Sequence, residues 1–311
     1  MLISSVQIGG YEGCPCAVRR YGIVVIKQLI ERACAFDRGL QMSKTVLITG
    51  ATGSIGTKLR EHFTGRDVQL RLLCLNPNKD PRVMTADLSR YEETWAREFA
   101  DVDAVIHLAG DPYATASWAS VQRFNIDLTL NVFRAAEAYH ARRIVFASSN
   151  WVMAGYRFGA ERLTTDLTPW PINPYGCGKL FCERAGLHLA RQSGISFIAL
   201  RIGCCQHIEG NRPGPHIENG IWGQQMWLSD RDLGFGMERA VLAEDVPFAV
   251  LNLMSNNDGM RWDIEQTRRV IGYLPRDAHR AVSTHAILEQ EQVARLRLEL
   301  AERLERMSAK W

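Results

Sequence analysis

Short apolar runs alternate with stretches of helical periodicity along most of the chain, from Thr45 onward. We predict strands at residues 45–49, 68–75, 104–110, 143–149 and 196–203, with a first helix at about residues 55–63. Strands that alternate with helices form a parallel sheet that carries helices on both faces. The predicted fold class is therefore α/β, with a doubly wound parallel sheet.

The regular alternation ends after Gly203. Residues 205–220 form a polar stretch rich in proline and glycine, which predicts a long loop, and loops of that length are often functional. Residues 287–307 form an amphipathic helix, interpreted either as a packing helix or as an interface for a homo-oligomer.

Composition narrows the class of protein. The 311 residues include 37 basic and 34 acidic side chains without a basic block, which argues against a nucleic-acid partner. No apolar run approaches the roughly 18 residues that cross a bilayer, so we expect no membrane partner and a cytoplasmic location. The spacing of the eight cysteines matches no metal site, so we expect reduced thiols and no bound metal.

Three glycines are spaced three residues apart after the first predicted strand. Gly50, Gly53 and Gly56 lie between that strand and a helix that begins near Ser54 and Ile55. Glycine lets the backbone turn tightly and approach a pyrophosphate, whose charge is met by amides at the helix N-terminus. The spacing differs from the usual Gly-x-Gly-x-x-Gly, but its place between strand and helix predicts a site for NAD or NADP.

This motif sets the predicted domain boundaries. We predict a dinucleotide-binding domain at residues 44–203 and a small substrate-binding portion with the C-terminal helices at residues 204–311, interleaved with the first. Residues 1–43 form an N-terminal extension, whose residues 1–41 show no phased amphipathic pattern. We expect these 41 residues to be dispensable, with Met42 as the true start; an added helix packed on the sheet is the alternative.

A tyrosine and a lysine stand four residues apart in the segment NPYGCGK. Asn173 is the predicted N-cap, Pro174 the first helical residue, and Tyr175 and Lys179 share one face of the helix. A tyrosine hydroxyl titrates near about pH 10, but a neighbouring ammonium and a positive nicotinamide ring favour the phenolate. Tyr175 can then take the proton of a substrate hydroxyl while hydride leaves for the nicotinamide; by spacing alone, an ordinary helix face is the alternative.

With TGATGSIG, these features resemble the extended short-chain dehydrogenase/reductase family, also called the epimerase/dehydratase family, which has a Rossmann-type fold. The resemblance implies that Ser149, at the end of a buried strand, hydrogen-bonds the reacting oxygen. It also implies a set of cofactor-binding residues: Asp87 and Leu88 near the adenine, Leu108, Ala109 and Gly110 in a loop over the cofactor, and Asn125 and Lys179 towards the nicotinamide.

Segments such as RIVFASSN, YGCGK, LRIGCC, MWLSDRDL and SNNDGMRWD resemble uronate dehydrogenases and related sugar dehydrogenases. These enzymes oxidise the C1 hydroxyl of a hexuronic acid or aldose to a lactone. The resemblance implies that Ser149, Asn150 and Tyr175 contact a small sugar or sugar acid, and that Cys204 lies beside the nicotinamide. Arg212 is a candidate to bind a substrate carboxylate through its bidentate fork; a solvated loop arginine is the alternative.

Three positions depart from that subfamily. Pro112 stands where a substrate-binding serine is expected, and Trp151 replaces a histidine in the predicted substrate site. Cys74 ends the second strand in place of the acid that accepts the ribose hydroxyls of NAD. The reaction is therefore more firmly predicted than the substrate.

Two other functions remain open at this point. A nucleotide-sugar epimerase or reductase needs a diphosphate-binding surface, and the sequence contains no recognisable one. A dinucleotide-sensing regulator without catalysis is the second alternative. The presence of Ser149, Tyr175 and Lys179 together argues against it, since a sensor has no need for a polarised tyrosine.

Overall fold

A computed structural model of the protein describes residues 43–206 and 210–308. Within these residues lies a parallel sheet of seven strands in the order β3, β2, β1, β4, β5, β6, β7. The strands are β1 (Lys44–Thr49), β2 (Val68–Cys74), β3 (Val83–Thr85), β4 (Ala104–His107), β5 (Arg143–Ser149), β6 (Ser196–Ile202) and β7 (Phe248–Leu253). The predicted fold class is confirmed, whereas the prediction for residues 1–41 falls outside the described residues.

Helices connect the strands. They are α1 (Ser54–Phe63), α2 (Glu93–Ala96), α3 (Trp118–Val121), α4 (Leu128–Ala138), α5 (Pro174–Ser193), α6 (Gly220–Gln225), α7 (Asp230–Leu242), α8 (Glu265–Ile271) and α9 (His285–Ser308). A π-helical turn, Gln122–Asp127, joins α3 to α4, and a 3₁₀ segment, Asn150–Tyr156, follows β5. No helix in the described part of the chain is long and apolar enough to cross a membrane.

Both faces of the sheet are buried. Along β1, Val46 and Ile48 join the cluster that packs on α1 and α7, while Leu47 joins the cluster that packs on α4 and α5. Successive strand residues point to opposite faces, so a strand covered on both sides is a continuous apolar run. This burial explains why such runs predicted the strands.

One strand lies beyond the predicted boundary at residue 203. β7 pairs in parallel with β6 and completes the sheet, so the C-terminal third of the chain returns to the first domain. The same third of the chain also contributes most of a small separate cluster around Trp222 and Trp262. Strand β7 therefore belongs to the same sheet as the strands before residue 203, and the division into two interleaved portions stays a prediction.

The C-terminal helix α9 leaves much of its apolar face exposed. Ile287 is buried, whereas Val293, Leu296 and Leu300 are between 48% and 62% exposed. The helix contacts α6, where Glu291 Oε1 accepts a hydrogen bond of 3.0 Å from the Ile221 amide. The homo-oligomer interpretation of this helix stays a prediction.

The strand order reverses at β1, because β2 and β3 lie on one side of it and β4 to β7 on the other. In open α/β sheets, ligands bind at the carboxyl ends of the strands next to such a reversal. The loops after β1, β4 and β5 meet at this edge, which locates the candidate site.

Candidate active site

The glycine turn after β1 packs closely on the loop after β4. Gly50 has a φ of +71°, and a Cβ there would lie 2.9 Å from the Ala109 amide nitrogen. A Cβ at Gly56 would lie 2.4 Å from the Gly50 carbonyl oxygen. A side chain is therefore excluded at these two glycine positions. Among the described residues no side chain caps α1 at Gly53, so its first amides are open to an anion.

A buried histidine holds this loop in place. His107 Nδ1 lies 2.7 Å from Thr49 Oγ1, and its Nε2 lies 3.0 Å from Thr129 Oγ1. Thr49 Oγ1 also accepts hydrogen bonds from the amides of Leu108 and Ala109. Burial lowers the pKa of His107 to about 3, so it stays neutral and links β1, β4 and α4 as a structural residue.

One end of the site, here called the β2 end, is formed by Cys74, Asn76, Asn78, Asp87 and Leu88. Asp87 Oδ1 accepts hydrogen bonds from the amide and hydroxyl of Ser89, which together lower its pKa. The Thr52 hydroxyl lies 2.9 Å from Cys74 Sγ and 2.7 Å from the Asn76 carbonyl oxygen. The β2 end therefore offers a thiol and amides where the resemblance expects an acid.

The opposite end, here called the reacting end, is formed by Ser149, Tyr175 and Lys179. Asn173 caps α5 as predicted, because its Oδ1 accepts a hydrogen bond of 2.7 Å from the Gly176 amide. The buried Lys179 donates a hydrogen bond of 2.8 Å to the Ala147 carbonyl oxygen, and its Nζ lies 5.6 Å from the centre of the Tyr175 ring. Strand β5 and helix α5 thus bring the three predicted side chains to one place.

Electrostatics at the reacting end follow from burial. Burial raises the pKa of Tyr175 to about 12, although hydrogen bonding to Ser149 acts in the opposite direction. Burial also lowers the pKa of Lys179 to about 8, against the effect of Cys182 and Glu183. The tyrosine therefore stays protonated until a positive charge or a hydrogen bond stabilises its phenolate.

A buried ion pair lies beneath the reacting end. Arg201 on β6 donates through Nε and Nη2 to the two carboxylate oxygens of Glu183 on α5, each at 2.9 Å. Ser148 Oγ donates to Glu183 Oε1 at 2.6 Å. Both charged side chains are at most 2% exposed, so β5, β6 and α5 are fixed to one another by charged hydrogen bonds.

The two ends belong to one cavity of about 770 Å³, within the usual range of small-molecule sites. It is lined by most of the predicted site residues: Gly50, Gly53, Ser54, Ile55, Gly56, Cys74, Asp87, Leu88, Leu108, Ala109, Gly110, Ser149, Tyr175 and Lys179. A cavity of this size fits a dinucleotide. The uncapped amides at the start of α1 and the close backbone approach at the glycines fit its pyrophosphate. The glycine turn would hold its pyrophosphate.

Three predicted residues lie behind the cavity wall. Asn125 clamps the backbone of Asp111: its Oδ1 accepts from the Asp111 amide at 3.1 Å, and its Nδ2 donates to the Asp111 carbonyl oxygen at 3.0 Å. Asn150 Nδ2 donates to the Ile202 carbonyl oxygen at 2.9 Å. Trp151 supports Ser149 through its amide, which donates to Ser149 Oγ at 3.2 Å.

Two further predicted residues do not line the cavity. Cys205 lines the cavity, whereas the side chain of Cys204 packs with the cluster around Trp222. Adjacent residues of an extended segment point to opposite sides, so a shift of one residue exchanges the two thiols. Arg212 is exposed and does not line the cavity, while its neighbour Asn211 is buried and donates to Asp230 Oδ1 at 2.7 Å.

Several lining residues were not predicted. Asp111, Tyr113, Ser120 and Phe124 face the cavity next to the reacting end. The signal for Asp111 was its position directly after HLAG, the loop that the resemblance places over the cofactor. For Ser120 and Phe124 the sequence offers no comparable signal, because they reach the cavity through the fold of α3 and the π-helical turn.

The chain belongs to the NAD dependent epimerase/dehydratase family, whose sequence profile matches residues 46–222. A relative from Haloferax volcanii named NAD-dependent glucose-6-phosphate dehydrogenase is 35% identical over 263 residues, covering 76% of this chain and 94% of the relative. An L-arabinose 1-dehydrogenase (NAD(P)(+)) from the same organism is 34% identical over 247 residues, covering 75% of this chain and 96% of that relative.

Among solved structures, a uronate dehydrogenase from Agrobacterium tumefaciens is similar, with a TM-score of 0.65 and 29% identity. The match covers 76% of this chain and 85% of that one. The predicted family, the fold class, the NAD cofactor and the prediction of an NAD-dependent oxidoreductase are confirmed by these comparisons.

Proposed function

We propose that the protein is an NAD-dependent sugar dehydrogenase that oxidises the C1 hydroxyl of an aldose or a hexuronic acid to the lactone. The observation that carries this proposal is the meeting of Ser149, Tyr175 and Lys179 on the wall of a cavity that begins at an open glycine turn. The names of the sugar-dehydrogenase relatives support the substrate class.

In the proposed reaction, the Ser149 hydroxyl hydrogen-bonds the C1 oxygen and Tyr175 takes the proton of the C1 hydroxyl. The bound NAD supplies the acceptor for the hydride that leaves C1. Loss of that proton and hydride leaves a carbonyl at C1, which is the lactone. Lys179, held by the Ala147 carbonyl oxygen, supplies an ammonium that favours the tyrosine phenolate.

A substrate screen tests this proposal. Neutral aldoses, hexuronic acids, sugar phosphates and nucleotide sugars are each incubated with NAD and with NADP, and formation of the reduced cofactor is followed by absorbance. We expect turnover with at least one free sugar. Turnover of nucleotide sugars alone would favour the epimerase or reductase alternative. Cofactor binding without any turnover would favour the regulator.

A further inference from the structure

Asp111 places a carboxylate at the reacting end of the cavity. It lines the cavity together with Ser149 and Tyr175, and its charge is close enough to raise the pKa of the tyrosine. The mechanism proposed above does not use it. Its position, directly after the loop over the cofactor, is open to a molecule that also reaches Tyr175.

The carboxylate is held firmly in this position. The Asn125 side chain bonds both the amide and the carbonyl oxygen of Asp111. The Ser120 hydroxyl donates to Oδ2 at 2.5 Å, and the Tyr113 amide donates to Oδ1 at 3.0 Å. A carboxylate has about four lone-pair sites, so each oxygen of Asp111 can still accept a hydrogen bond from a ligand.

Basic side chains are scarce among the described residues that line the cavity. Among the described residues that line the cavity, Lys179 is the one basic side chain, and its amine donates to the Ala147 carbonyl oxygen. Arg212, the sequence candidate for a substrate carboxylate, is exposed and outside the lining. A substrate carboxylate next to Asp111 would therefore meet a like charge in a partly buried site.

We propose that Asp111 determines specificity for a neutral aldose over a sugar acid by accepting hydrogen bonds from sugar hydroxyls and repelling a substrate carboxylate. This inference rests on the proposed function and narrows its substrate class. Sugar hydroxyls are donors that a carboxylate binds well, whereas an anionic substituent offers it no donor.

The test compares sugars that differ only at C6. Values of kcat/KM are measured with NAD for D-galactose and D-galacturonate, and for D-glucose and D-glucuronate. We expect wild type to prefer the neutral member of any pair that it oxidises. Asp111→Asn keeps the shape but removes the charge, and it should lower kcat/KM for the neutral sugar about 10- to 100-fold, as expected for lost charged hydrogen bonds.

The uronate should lose less than the neutral sugar in this variant, so the ratio of the two kcat/KM values should fall about 10-fold or more. Asp111→Glu keeps the charge and should retain the preference for the neutral sugar. Asp127→Asn is the matched control: it removes an exposed carboxylate outside the cavity lining and should leave both values unchanged.

The outcomes separate this inference from the proposed function. A wild-type preference for the uronate would overturn the inference even if no Asp111 variant folds, as would an equal loss for both sugars in Asp111→Asn. In either case the proposed sugar dehydrogenase would stand. Absence of turnover with every free sugar would overturn the proposed function, and the inference with it.

Discussion

The reacting end and the β2 end line the same cavity, but they are held in different ways. At the reacting end, Lys179 and Ser149 are buried, and the strand and helix that carry them are joined by the Glu183–Arg201 pair. At the β2 end, Asn76 and Asn78 are exposed and Cys74 is half-buried. The residues of this end accept hydrogen bonds from the Thr52 hydroxyl and from the amide and hydroxyl of Ser89.

This difference matches the proposed roles of the two ends: proton transfer at the reacting end and selection between NAD and NADP at the β2 end. Proton transfer requires a tyrosine and a serine fixed within hydrogen-bond distance of one substrate oxygen, so positional errors there are costly. Selection between NAD and NADP depends on charge and hydrogen bonding near one ribose hydroxyl. Substitutions at the reacting end should therefore change rate or folding, while substitutions at the β2 end should change cofactor preference.

The largest expected effect is at Tyr175. Tyr175→Phe removes the proton acceptor without changing the ring, and kcat should fall about 10²-fold or more, as for the loss of a general base. Cofactor affinity should change little, because the phenol is proposed to act on the substrate. Retention of more than a few per cent of wild-type kcat would show that another group takes the proton.

The pH profile gives a second check on the same residue. Because burial raises the pKa of Tyr175, the phenolate fraction, and with it the rate of sugar oxidation, should increase as pH rises from neutral to alkaline values. Ser149→Ala removes the hydrogen bond that lowers this pKa, so its profile should shift to higher pH. Initial rates at saturating NAD measure both profiles, and a profile independent of pH would contradict the role of Tyr175.

The next effect is on folding. Glu183→Gln leaves the Arg201 charge buried without its partner, which typically lowers the free energy of unfolding by about 3 to 5 kcal/mol. Urea denaturation followed by fluorescence measures this change. Replacing both residues by Met should cost less, because an apolar pair leaves no unpaired charge.

The exposed pair of Arg142 and Asp103 is the comparison for this measurement. Arg142 is 80% exposed, so water screens its charge, and Arg142→Gln should change the denaturation midpoint far less than Glu183→Gln does. Equal effects at the two pairs would mean that the buried network is not what stabilises the reacting end.

How far the sequence predicts the molecule also differs between regions. The strands at both sides of the reversal are buried on both faces, and their continuous apolar runs identify them. Tyr175 and Lys179 were predicted from their spacing on one helix face, and Ser149 was predicted from the resemblance to the family. Strand β7 was missed, since it lies beyond the long loop and helices α6 and α7, where the regular alternation is interrupted.

The remaining site residues depend on contacts that no local pattern encodes. Asp111 is hydrogen-bonded by the Ser120 hydroxyl, and its backbone is clamped by Asn125 at a π-helical turn. Cys204 and Cys205 differ by one residue, and the choice between them requires the register of the segment after β6. Long-range packing therefore decides which side of a predicted segment faces the cavity.

The smallest predicted effect is a change in cofactor preference at the β2 end. An acid at the end of the second strand favours NAD, because it accepts from the ribose hydroxyls and repels a 2′-phosphate. Cys74 does neither, so we expect wild type to use NAD and also to accept NADP. Cys74→Asp should increase the preference for NAD by about 1 to 3 kcal/mol, the range for a hydrogen bond to a charged group.

The basic residues near the β2 end do not line the cavity, so the preference of wild type between NAD and NADP should be weak. Lys79 and Arg82 lie outside the cavity lining, and Arg82 is 74% exposed and pairs with Asp80 at 2.8 Å. No basic side chain among the described lining residues of the β2 end therefore favours a 2′-phosphate. Ratios of kcat/KM for NAD and NADP in wild type, Cys74→Asp and the isosteric Cys74→Ser measure the effect. If wild type strictly prefers NAD and Cys74→Asp changes nothing, the exposed amides of Asn76 and Asn78 become the residues to substitute next.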